Sequence, residues 1–175
     1  MQARYLLDAN IFIQSHNLHY HPSFCEAFWD WISAGHSAGI FFSIDKIKAE
    51  LVRPTSSRDE LSDRIRDETI PPSFFLTSIA DVNVAQAYGG LMQWVNSETR
   101  YIPEAVAEFQ DHNIADSFLV ATAIAHDFVI VTQEKPSNAT KRVKIPDAAL
   151  AHGVQCISID QLLRRHAESN FKLVY

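Results

Sequence analysis

The sequence predicts an α/β fold built on a mainly parallel β-sheet. Three observations carry this expectation. Short apolar runs of strand length alternate with stripes of helical period. The run Phe128-Val129-Ile130-Val131 is unbroken and rich in β-branched residues, as in strands covered on both faces. Gly, Pro and capping residues stand at the joints between the runs.

Ala3 to Leu7 reads as a first strand that ends at Asp8, and Asn10 with the apolar residues after it begins a helix. Pro22 to Ser33 carries Phe24, Ala27, Phe28, Trp31 and Ile32 on one stripe, with Gly35 placed to end that helix. Gly39 to Phe42 reads as the second strand. Ser43 is placed to cap a helix running through Val52, and Pro54 opposes its continuation. Ser57 and Glu60 have capping-box spacing before a mostly solvated helix from Arg58 to Asp67, and Pro71-Pro72 precedes a strand at Phe74 to Leu76. Ile79 to Val95 and Pro103 to Phe109 read as helices, with Gly89-Gly90 marking a kink or a boundary in the first. Asn113 is placed to cap Ile114 to His126, which leads into the Phe128 strand. A helix over Pro146 to His152, a strand over Val154 to Ile157 and a helix capped by Ser158 and Gln161 complete the pattern.

A length of 175 residues suits one domain over 1–175, and 47% apolar with 21% charged residues is an ordinary globular composition. Cys25 and Cys156 form no CxxC pair, so neither a disulfide framework nor a thiolate zinc site is indicated, and a reducing, cytoplasmic setting is expected. The amino terminus does not read as a signal peptide, and no long apolar run suggests a membrane partner. The net charge of −6 argues against a broad basic face for nucleic acid. Local cations at Arg64, Arg66, Lys141, Arg142 and Lys144 remain available to meet a phosphate backbone.

Four acids stand where an apolar element ends or a helix begins: Asp8, Glu50, Asp116 and Glu134. Ligands of parallel sheets gather beyond the carboxyl ends of strands, which is where Asp8 and the Thr132-Gln133-Glu134 segment are expected. Each acid also has a plainer role open to it: Asp8 as a helix cap, Asp116 as a favourable charge in a first helical turn, Glu134 as a solvated loop residue. Asp45, Asp127 and Asp147 read as structural acids at helix ends. Ser117 is placed to support Asp116 through a hydrogen bond. His16, His19 and His21 have no standard zinc spacing and read as an exposed polar loop. Phe28, Trp29 and Trp31 read as core or dimer packing rather than as a base-stacking platform.

Four blocks, in order, resemble the PIN-domain nucleases: Leu6-Leu7-Asp8-Ala9-Asn10, Ser43 to Leu51 containing Glu50, Ala115-Asp116, and Val129-Ile130-Val131-Thr132-Gln133-Glu134. The resemblance implies a three-layer PIN-like fold with helices on both faces of the sheet. It also implies metal-binding acids at Asp8, Glu50 and Asp116, with Asn10 and Thr132 supporting them. Where the last block usually ends in aspartate this chain has Glu134, one methylene longer, as its fourth acid. The Lys144-Ile145-Pro146-Asp147 segment and the stretch from Gly153 to Leu163 look like a branch of PIN-like proteins resembling toxins of toxin–antitoxin pairs. The implied activity is that of a Mg²⁺- or Mn²⁺-dependent endoribonuclease, a hydrolase of RNA, with an antitoxin protein and a second copy of the chain as further partners.

The chemistry of the residues agrees with that implication. Two carboxylates about 4 Å apart repel by about 4 kcal/mol at an effective dielectric of 20, so converging acids need protons or cations. Oxygen-only donor sets favour Mg²⁺ or Mn²⁺ over zinc. A non-catalytic PIN-like binding module is an alternative reading. An aspartate-nucleophile phosphatase is another, although such enzymes want a second aspartate where Asn10 stands.

Overall fold

The structure is a computed structural model and describes residues 2–52, 60–78 and 80–175. Five parallel strands form the central sheet: β1 (Arg4–Leu7), β2 (Phe41–Ile44), β3 (Phe75–Leu76), β4 (Phe128–Val131) and β5 (Cys156–Ile157). Their spatial order is β3-β2-β1-β4-β5, so the chain winds outward from β1 in one direction and then returns to place β4 on its other side. The helices that make these crossovers cover the sheet, giving the expected three-layer α/β arrangement, consistent with a PIN-like fold. The buried apolar side chains form one contiguous cluster on which the strand residues Leu6, Leu7, Phe41, Ile44, Ile130 and Val131 converge.

Helix α1 (Ala9–Gln14) follows β1 directly and runs into a π-helical turn over Ser15–His19, which the sequence pattern did not suggest. Helix α2 (Pro22–Ser37) runs past Gly35, contrary to the expected stop there. Gly35 is inside the helix because the Phe41 ring lies against it; a Cβ would come within 2.0 Å of Phe41 Cδ2. The helix ends at Gly39 instead, whose φ of +75° is the left-handed conformation that glycine adopts without strain. Ile40 N–H bonds to Gly35 O and Gly39 N–H to His36 O, the paired bonds of a Schellman turn. Phe24 does not share the buried stripe. It lies before a break in helical geometry at Cys25 (φ −143°, ψ 56°) and is 71% exposed. Trp29 and Trp31 are core residues, their indole N–H groups donating to Tyr20 O and His166 O.

The second strand begins two residues later than expected, since Gly39 and Ile40 serve the turn. Ser43 is consequently inside β2 and caps nothing: its buried hydroxyl donates to Leu7 O at 2.7 Å. Helix α3 (Asp45–Leu51) starts after Ile44 without a side-chain cap. Asp45 accepts from Lys46 N–H and from both the backbone and hydroxyl of Ser78, which fixes α3 to the segment after β3. Helix α4 (Glu60–Arg66) buries Leu61, Ser62 and Ile65, so it has a core face rather than being mostly solvated; the expected cap at Ser57 and stop at Pro54 lie outside the described residues.

Helix α5 (Val82–Ser97) is continuous through Gly89-Gly90, so that pair marks neither a kink nor a boundary. Asp81 caps it by accepting from Asn83 and Val84 N–H. After α6 (Pro103–Gln110), α7 (Ala115–His126) begins at Ile114 and not with an Asn113 cap; Asn113 is turned back to donate to Asp111. Asp127 ends α7 in the left-handed conformation. Helix α8 (Ile145–Ala151) and α9 (Ile159–His166) flank β5, and the reciprocal Ser158–Gln161 cap is formed as expected. No helix among the described residues is long and apolar enough to cross a membrane.

Candidate functional site

The site follows from strand order. The strand order reverses its winding between the parallel strands β1 and β4, so the connections leaving their carboxyl ends diverge and open a crevice there. Leu7 is paired with Val131, and Asp8 N–H donates to Val131 O at 3.0 Å, which brings the residues that follow the two strands side by side. Ser43, from β2, holds Leu7 O from the other flank.

Asp8 is only 5% exposed. Its Oδ1 accepts from Ala9 N–H at 2.7 Å, capping α1, and its Oδ2 accepts from Asn10 Nδ2 at 2.6 Å and from Thr132 Oγ1 at 2.7 Å. Asn10 also meets Thr132 Oγ1 and, through Oδ1, accepts from Gln133 N–H. The capping role and the site role thus coincide in one carboxylate. Burial pushes the Asp8 carboxyl up to about 7; the Thr132 hydroxyl opposes this, while the charges of Asp116 and Glu134 add to it.

Asp116 arrives from the first turn of α7, and Glu134 from the loop after β4. Glu134 Oε2 accepts from Ile145 N–H at 3.0 Å, tying that loop to the start of α8. The guanidinium of Arg142 lies between the two acids, 3.2 Å from Asp116 Oδ2 and 3.6 Å from Glu134 Oε1. Burial raises the Asp116 carboxyl to about 6, with Glu134 and then Glu50 adding to the rise and Arg142 opposing it. Glu50, near the end of α3, is exposed and acts on Asp116 through its charge, with no hydrogen bond to the other three acids among the described residues.

Asp8, Glu50, Asp116 and Glu134 therefore share one electrostatic environment, with Asn10 and Thr132 organising Asp8. Ser117 does not join them: it is fully buried and its hydroxyl has no hydrogen-bond partner among the described residues, so the support expected for Asp116 is absent. Asp147 also stands apart, accepting from Ser137 N–H and pairing with Arg100. Of the basic residues, Arg142 meets the acids, whereas Arg64 pairs with Glu26, and Arg66 pairs with Asp63 and donates to Val52 O. His16 is buried, contrary to the exposed loop expected of it.

Sequence reasoning missed Ser43, Arg142 as the partner of the acids, and Cys156. A polar residue within Phe41-Phe42-Ser43-Ile44, at a strand's carboxyl end, was the available signal for the first. Cys156 on β5 lines a cleft of about 380 Å³ beside Thr132 and Glu134. Burial, and then the charges of Asp8 and Glu134, push its thiol up to about 12, so it is a neutral wall of the cleft and not a nucleophile.

Fold and site together define an α/β protein with a carboxylate cluster at the switch point of a doubly wound sheet. The chain belongs to the family described as a domain of unknown function (DUF4411), which it matches over residues 5–170. No curated protein and no solved structure matches it.

Proposed function

We propose that the chain is a metal-dependent endoribonuclease of the PIN-like kind, with its reaction centre at Asp8, Glu50, Asp116 and Glu134. The observation that carries this reading is that four acids from four separate elements are linked through their charges, two of them, Asp8 and Asp116, held above the usual carboxylate range by burial and by neighbouring acids. Such a cluster carries more negative charge than Arg142 alone offsets, and its donors are all oxygen, which suits Mg²⁺ or Mn²⁺. When bound, that cation polarises a phosphoryl oxygen, lowers the pKa of an attacking water and offsets charge on the leaving oxygen.

The chain's own residues supply the rest. Asp116, Glu50 and Glu134 offer carboxylate oxygens, and Asp8 offers the free side of Oδ1 while Asn10 and Thr132 fix its orientation. At neutral pH Asp8 holds a proton part of the time and gives it up as positive charge arrives. Arg142, half-exposed at the rim, is placed to meet a phosphate oxygen once its carboxylate partners engage a cation. Asp8 has little access as a nucleophile, being buried and engaged by three donors, which disfavours the phosphatase reading. RNA as the substrate, an antitoxin protein and a second copy of the chain as partners, and a cytoplasmic setting rest on the family resemblance and on composition.

A second reading, a binding module without catalysis, draws support from Arg142, whose position on Asp116 and Glu134 partly neutralises the cluster from within. Incubation with single-stranded RNA and Mn²⁺ or Mg²⁺ separates the two. Cleavage that EDTA abolishes, and that Asp8→Asn and Asp116→Asn abolish with the circular dichroism spectrum unchanged, supports the nuclease. Intact RNA with the wild-type protein and bound Mn²⁺ supports the module.

A further inference from the structure

Away from the carboxylate cluster, the π-helical turn carries His16 to a position facing His21, the residue that caps α2, and Glu60, the first residue of α4. From Asp8 to His16 the chain rises along helical turns by about 12 Å, so the two sites are separate. His21 Nε2 lies 3.5 Å from Glu60 Oε2 and His16 Nε2 lies 4.0 Å from the same oxygen. All three ligand atoms fall within 4.8 Å of one another. Bonds of about 2.0 to 2.1 Å in tetrahedral geometry place ligand atoms about 3.4 Å apart, so small side-chain rotations close this triangle.

The protonation of the rings supports the same reading. His16 Nδ1 is 2.9 Å from Asn17 Oδ1, which only accepts, so the ring proton of neutral His16 is on Nδ1. The lone pair of Nε2 then points at His21 and Glu60. That nitrogen is buried and has no hydrogen-bond partner among the described residues, an uncommon state for a polar atom in a residue that is 7% exposed. His21 Nδ1 accepts from Ser23 N–H at 3.2 Å in the α2 cap, so the proton of neutral His21 is on Nε2, facing Glu60; a cation at Nε2 displaces it to Nδ1, where Ser23 Oγ, 2.8 Å away, is able to accept it. Oxygen acceptors on the far nitrogen are the usual support of metal-bound imidazoles. Arg64, the nearest competing cation on α4, is committed to Glu26. His19 is exposed against Tyr20 and takes no part.

We propose that His16, His21 and Glu60 form a second metal site, selective for a borderline transition-metal cation of the Zn²⁺ class and fastening α4 to the turn before α2. Two imidazoles and one carboxylate disfavour Mg²⁺, and the fourth position is left to water. The site is independent of the carboxylate cluster and of any nuclease activity.

The test is titration of the full chain with Zn²⁺, and with Co²⁺ as the visible-absorbing probe, in buffer containing excess Mg²⁺. Thermal melts accompany both titrations. One equivalent should bind to the wild type and to Asp116→Asn alike, with the Co²⁺ bands of a four-coordinate site and a raised melting temperature. His21→Ala and Glu60→Gln should each weaken binding at least about 10-fold, the lower bound seen for residues that merely support a ligand, and should lose the thermal gain. Glu60 is exposed, so its variant keeps the fold even if loss of the His21 cap disturbs α2. Unchanged binding in both variants, loss of binding in Asp116→Asn, or no binding by the wild type overturns the proposal.

Discussion

Thr132 Oγ1 donates to Asp8 Oδ2 at 2.7 Å, so the residue that follows β4 holds the acid that follows β1. This bond crosses the point where the sheet reverses its winding, and it also holds down an acid that burial would otherwise raise further. Thr132→Val should therefore push the Asp8 carboxyl above about 7 and leave a buried acceptor short of a donor. The expected destabilisation is about 1 to 3 kcal/mol by chemical denaturation, with a higher Mn²⁺ concentration needed for half-maximal cleavage. Thr132→Ser should restore both quantities, and a Ser variant behaving like Val would show that the methyl group matters instead.

Arg142 opposes the rise of the Asp116 carboxyl. Arg142→Gln should move Asp116 above about 6 and shift the acid limb of the cleavage pH profile to higher pH. Its guanidinium is half-exposed, so the stability change should stay within about 1 kcal/mol. An unchanged acid limb would mean that Asp116 does not govern it.

Asp116 should also control stability in metal-free buffer. Its folded-state pKa of about 6 exceeds the ordinary 3.8, so the folded state binds the proton more tightly and stability falls as pH rises between those values. Asp116→Asn removes that ionisation. The variant should be more stable than wild type by up to about 3 kcal/mol above pH 6, and the gain should vanish below pH 4. Saturating Mg²⁺ should shrink it at high pH by stabilising the wild type. Melting temperatures at several pH values give the comparison, and a gain that persists at low pH would assign it to something other than charge.

Glu134 has its oxygens occupied by Ile145 N–H and Arg142, so it holds the loop after β4 as well as facing the cluster. Glu134→Gln retains an acceptor for Ile145 and should keep the fold while lowering cleavage about 10 to 100-fold, less than Asp8→Asn. Equal and complete loss in both variants would make Glu134 a full ligand.

The parallel sheet was legible because Leu6-Leu7 and Phe128 to Val131 are apolar runs with no second period to confuse them. The acids were legible by position, since Asp8 and Glu134 follow those runs. Helix ends were less so. Gly35 and Gly39 are equally plausible stops in sequence, and only the approach of Phe41 to Gly35 distinguishes them. Ser43 and Asn113 have capping chemistry, but a tertiary bond to Leu7 O and a local turn bond to Asp111 claimed their side chains first. Arg142 and the His16–His21–Glu60 group depend on loops and turns meeting in space, for which local sequence carries no periodic signal.

Whether Asp8, Glu50, Asp116 and Glu134 hold a hard divalent cation is decided by Mn²⁺ titration followed by electron paramagnetic resonance. The wild type should bind Mn²⁺ in competition with Mg²⁺, and Asp116→Asn and Glu50→Gln should each weaken that binding while His21→Ala leaves it unchanged. Mn²⁺ binding of equal strength in wild type, Asp116→Asn and Glu50→Gln would mean that these acids do not hold the cation.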